Sequence, residues 1–189
     1  MLDLTHRLAS GYQMTRTGSA TILLLGLLAV ACGGSEATLE SDDGGIVGFH
    51  DFSAGLEKSF GIFVCASGGD VELDSVEAIS QEGAIDLLGA VVHQASTGFV
   101  GADNDFPPSV LAGTEIVEIN GAVVTTPCDE AAPEVLTQVV VGVSRTGPGG
   151  GTIEGIRINH QNGSLDVEDY VIILCGDEME LCEDFAPEG

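Results

Sequence analysis

From Ser59 to Cys175 the chain sets short apolar, β-branched runs between clusters of Gly, Pro, Asn and Asp, with almost no apolar recurrence at helical spacing. Runs of this kind bounded by turn formers read as strands, and turn signals about every 8 to 15 residues point to an all-β domain. The expected fold is an antiparallel immunoglobulin-like β-sandwich of about seven to eight strands. The chain has no tryptophan, so one hallmark of true immunoglobulin domains is missing.

The runs carry local detail. In "VELDSVEAI" (71–79), Val71 and Leu73 share one face while Val76 and Ala78 share the other, and that change of parity predicts a bulge near Asp74 or Ser75. "SQEG" before "AIDLLGAVVHQ" (84–94) and Asn120-Gly121 within "EIVEINGAVVTT" (115–126) both read as hairpin connections. "EVLTQVVVGVSRT" (134–146) is long and β-branched enough for a buried central strand. "TIEGIRINHQ" and "LDVEDYVIILC" form a closing hairpin, with Ile156 and Ile158 facing the core and Ile153, Gly155 and Arg157 on the other face. Residues 95–114, which contain Pro107-Pro108, are the longest irregular stretch and the best candidate for a functional loop.

The N-terminal part follows different rules. The thirteen residues from Ala20 to Cys32 are uncharged and, Thr21 aside, apolar, too few for a bilayer core, which takes about 20, but right for a signal-peptide h-region of about 7 to 15. Arg7 and Arg16 stand before the run, small residues stand at 29 and 31, and a lone cysteine followed by "GGSE" ends it. "LAVAC", Leu28 to Cys32, resembles the lipobox of a bacterial lipoprotein precursor, in which the cysteine is acylated and becomes the new N-terminus; here Ala29 holds the place where leucine is usual. Met14 followed by "TRTGSA" would supply an ordinary n-region, so translation from Met14 is an alternative to Met1.

The resemblance implies lipidation at Cys32 and a location on the extracytoplasmic side of a cell membrane. The expected organisation is a signal peptide at 1–31, an acidic Gly/Ser-rich tether at 32–58, a β-sandwich domain at 59–176 and an acidic tail at 177–189. With 30 acidic residues against 5 Lys plus Arg, the chain carries a net charge of −25. Such a surface repels phosphate backbones and anionic headgroups, so nucleic acid is excluded as a partner and the lipid is the expected contact with the membrane.

Once Cys32 is assigned to the lipid, Cys65, Cys128, Cys175 and Cys182 remain. An even number in an exported chain reads as two disulfides with three possible connectivities, of which Cys65–Cys128 with Cys175–Cys182 closes the shortest loops. No CxxC or short-range Cys/His cluster suggests zinc. No histidine completes a copper set around Cys175 and Met179, and neither "ADNDF" (102–106) nor "GDEME" (176–180) has the order of an EF-hand loop. No metal or cofactor is expected. Asn162-Gly163-Ser164 reads as a turn rather than a glycosylation site.

Catalytic signals are sparse. His50, His93 and His160 are far apart in sequence, no G-x-S-x-G occurs, and "GPGGG" (147–151) has neither a lysine nor a strand-to-helix context. A metal-binding or hydrolytic enzyme, with His93 or His160 convergent on two carboxylates, ranks third. A PDZ-like peptide-binding module ranks second: "SFGIFV" (59–64) and "AGTEIVEINGAVV" (112–124) resemble the carboxylate-binding strand and the later Asn-Gly segment of that family. The resemblance implies peptide capture by the backbone of Phe60, Gly61 and Ile62 and a groove helix drawn from "CDEAAPEVLTQ". The first reading is a lipid-anchored sandwich with a binding or structural role at the cell envelope and an unidentified protein or peptide partner.

Overall fold

A computed structural model describes residues 36–41, 44–49, 54–109, 115–129 and 135–176, all within a compact unit that starts at Glu36. The described residues form strands and turns, with no α-helix. The strands are β1 (Thr38–Glu40), β2 (Gly45–Phe49), β3 (Glu57–Ser67), β4 (Val71–Gly83), β5 (Ile85–Ala95), β6 (Ala102–Asp103), β7 (Ile116–Glu118), β8 (Val123–Val124), β9 (Leu136–Arg145), β10 (Gly151–His160) and β11 (Gly163–Leu174).

One sheet runs β1-β3-β9-β5-β7, with β6 also paired to β3, and the other runs β2-β11-β10-β4-β8. Lettered in chain order, β3, β4, β5, β9, β10 and β11 are strands B to G, and β1 and β2 are two halves of strand A. The sheets are then A-B-E-D and A-G-F-C, the immunoglobulin-like arrangement. The expected fold class holds. The number of strands exceeds the expectation by β1, β2 and β6, pieces of two to five residues at the edges, and pieces so short carry no readable alternation. One pairing departs from antiparallel: β2 runs parallel to β11, from Gly45 opposite Tyr170 to Phe49 opposite Leu174.

Those first two strands correct the expected tether at 32–58. Leu39 is 5% exposed and belongs to the core, and the Phe49 ring lies 5.4 Å from that of Phe60. The Gly/Ser composition hid them because a strand that borrows its partners' ladder needs few apolar residues of its own.

The inner faces meet in a single large core. Phe60, Ile62 and Val64 from β3 and Val139, Val141 and Val143 from β9 face Leu73 of β4, Ile156 and Ile158 of β10, and Ile172 and Leu174 of β11. The bulge expected at 74 or 75 is present at Asp74, since Asn159 pairs with Ser75 while His160 pairs with Leu73. Ile156 and Ile158 face the core as expected, but so does Ile153, at 0% exposed. Gly155 resets the parity: its φ of 75° is costly for a residue with a side chain, and the β10–β11 register shifts there.

Connections were the least legible part. The "SQEG" link is not a hairpin, because β4 and β5 lie in different sheets and the chain crosses between them at Gly83-Ala84. Asn120-Gly121 does form a tight turn, with Gly121 at φ 82° and the Ala122 amide donating to the Ile119 carbonyl. Its flanks again diverge, however: β7 pairs with β5 and β8 with β4. The β10–β11 hairpin is as expected, running from Gly151 opposite Leu174 to His160 opposite Gly163.

Candidate functional site

The outer faces of the two sheets differ. That of the β10 sheet sets a small apolar cluster, Val171, Ile173 and Cys175, beside charged groups; Arg157 on β10 makes a bidentate ion pair with Asp166 on β11, Nε to Oδ1 and Nη2 to Oδ2, both 2.7 Å. This bond holds the Asp166 carboxyl below its ordinary range. On the other sheet, residues 96–109 fold back over β9 and β5, and Val100 packs on Val91 and Val140 with Phe106 beside them. The stretch expected as a functional loop is therefore, over residues 96–109, a cover for a sheet face, and this is why β9 is buried on both sides.

His93 lies under this cover. It is fully buried rather than at the surface, its Nδ1 is 3.4 Å from the Glu115 carbonyl, and its Nε2 has no hydrogen-bond partner among the described residues. His160 ends β10 in the other sheet and accepts the Asn162 amide on Nδ1. The two histidines thus lie in different sheets. Among the described residues, no three His, Cys, Asp or Glu side chains gather as a metal would require. His50 lies outside the described residues.

Of the cysteines, Cys65 on β3 is disulfide-bonded to Cys128, four residues after β8, with Cα atoms 5.0 Å apart. Cys175 is also disulfide-bonded, which removes the thiolate a copper site would use. Cys32 and Cys182 lie outside the described residues, and with them the lipidation site and the expected Cys175–Cys182 pair. The Asn162 side chain donates to the Ala37 carbonyl at 2.9 Å, so the Asn-Gly-Ser sequence serves as the turn of the last hairpin.

The PDZ-like reading is corrected where it can be compared. Glu57–Val64 of β3 pairs with β9, and Ser59 and Phe60 pair with β6 on the opposite edge. A peptide therefore has no free edge beside Phe60. Leu136–Gln138, expected in a groove helix, open strand β9 instead, and residues 130–134 lie outside the described residues.

A surface cavity lies elsewhere, at the flank formed by β7 and β8. It measures about 410 Å³, with Val92, Gln94, Val117 and Val123 on its walls and Glu115 and Glu118 beside them. Its walls are fixed. Ile119, Ala122 and Val124 are buried, the Gly121 amide donates to the Leu73 carbonyl, and the Leu73 amide donates to the Ala122 carbonyl. The Gln94 side chain crosses between the sheets to donate to the Val123 carbonyl at 2.6 Å.

Val117 shares the face of its β5 partner Val92 and Val123 that of its β4 partner Glu72, and each is about two fifths exposed. Of the groove residues, sequence reading singled out Asn120 and Gly121, as a turn, and the segment 112–124 for its PDZ-like pattern, but not as a groove. The fold and this groove define a class, an immunoglobulin-like sandwich with a preformed surface groove at one flank. No protein-family model, curated protein or solved structure matches the chain.

Proposed function

We propose that this chain is an exported, lipid-anchored sandwich that binds a partner on the extracytoplasmic side of the cell membrane. The observation that carries the reading is the Cys65–Cys128 disulfide, because such bonds persist in oxidising compartments. It agrees with the signal-peptide layout of residues 1–32 and with "LAVAC" as an acylation site. Binding is favoured over catalysis because the groove is preformed and neither His93 nor His160 lines it.

Since β1 starts at Thr38, six residues after Cys32, an acyl anchor would hold the sandwich within about 20 Å of the bilayer surface. Metabolic labelling with a palmitate analogue tests the anchor. Label is expected on the wild-type protein and absent from Cys32→Ser; label that persists in the variant would overturn it.

A further inference from the structure

We infer that the groove at the β7–β8 flank takes an extended cationic peptide segment, added as a strand beside β7, with apolar residues alternating with Lys or Arg. The inference deepens the binding reading above and names the partner's chemistry.

Three independent observations meet at this place. First, β7 ends its sheet and β8 ends the other, and no further strand among the described residues lies beyond either. An end strand offers unpaired N–H and C=O groups, the template that strand addition uses. Second, the groove beside it presents Val117, 39% exposed on the face of its partner Val92, where every second side chain of an added strand would point. Third, the charge there has a single sign. Glu115 and Glu118 line the groove and no Lys or Arg does.

That third point selects the occupant. A second copy of this chain would bring Glu115 and Glu118 against its own acidic flank, with −25 on each molecule, and like charges brought face to face oppose pairing. An acidic peptide meets the same repulsion. A basic strand sets its Lys or Arg residues on the face of Glu118 while its alternate apolar residues cover Val117, and Glu115 beside β7 adds to the local negative field. The rigid floor, tied by Gln94 to Val123 and by Leu73 to Gly121 and Ala122, lowers the ordering cost of binding.

The test is fluorescence anisotropy on the full chain in detergent, with labelled octapeptides of alternating Val-Lys and Val-Glu. The Val-Lys peptide is expected to bind, and the Val-Glu peptide is not. Glu115→Gln with Glu118→Gln should weaken binding by about tenfold. Glu154→Gln with Glu168→Gln, which removes the same charge from exposed sites on β10 and β11, should change it by less than about twofold. Methylating alternate backbone nitrogens of the peptide keeps its charge and should also cost about tenfold, because strand hydrogen bonds are lost. The inference is overturned if Val-Lys does not bind, if both double variants weaken it equally, or if the methylated peptide binds as well as the parent. Repeating the titration on Cys32→Ser separates the two proposals, since peptide affinity does not depend on the lipid.

Discussion

Gln138 holds Val100 by both of its backbone groups: its Nε2 donates to the Val100 carbonyl at 2.7 Å, and its Oε1 accepts the Val100 amide at 2.9 Å. A primary amide is the side chain that can return both bonds of a peptide unit at once, and here it does so at 1% exposure. Gln138→Ala leaves two buried backbone groups without partners and should cost about 1–3 kcal/mol. Urea unfolding measures the loss, and hydrogen exchange at the Val100 amide should accelerate more than exchange in β10.

Gly61 makes this arrangement possible. A Cβ there would stand 2.0 Å from Gln138 Nε2 and 2.3 Å from the Val100 carbonyl oxygen, and the second contact is backbone, which cannot rotate away. Gly61→Ala should therefore destabilise by more than Gln138→Ala, roughly 3 kcal/mol or above. Thermal unfolding of the two variants side by side checks the order.

The Cys65–Cys128 bond closes a loop spanning 63 residues of sequence. Chain-entropy reasoning assigns such a loop about 4 kcal/mol. Replacing both cysteines with alanine should lower the unfolding free energy by about that amount, and the change should vanish when both proteins are compared under reducing conditions.

Arg157 and Asp166 give a pH dependence with a definite sign. Asp166 is held below its ordinary value of 3.8, first by the hydrogen bond from Arg157 and then by the guanidinium charge. A carboxylate depressed on folding contributes stability above its unfolded pKa and loses it as pH falls through the folded one. The contribution is thus present at neutral pH and lost below about pH 4. Carboxyl NMR titration should place the Asp166 midpoint below 3.8, and Arg157→Gln should bring it back toward that value. Because both side chains face solvent, salt should weaken the shift.

The sandwich was legible because its long strands write their burial into the chain. "VVVGV" reads as buried on both faces, and the parity break at Asp74 reads as a bulge. The sheet crossings were not legible, since a glycine turn looks the same whether the next strand stays in the sheet or leaves it. Asn120-Gly121 shows this best: the turn forms as its residues dictate, while Leu73, 48 positions before Gly121, takes up the Gly121 amide and decides where the chain goes next. Edge strands such as β2 escaped notice for a related reason, because their ladder is supplied by β11 rather than by their own composition. The groove followed from the first of these blind spots, lying where the two arms of the expected hairpin part to different sheets.

The parallel register of β2 on β11 also gives the domain a mechanical polarity. Tension applied between residues 44 and 176 drives the two strands past one another lengthwise, so the five registered pairs from Gly45–Tyr170 to Phe49–Leu174 share the load and must yield together. Tension applied between Gly151 and Leu174, the open end of the β10–β11 hairpin, meets one pair at a time. Single-molecule pulling should record a higher rupture force for the first geometry than for the second. A domain held from its N-terminal side and tugged from beyond β11 is thereby loaded along its stiffer direction.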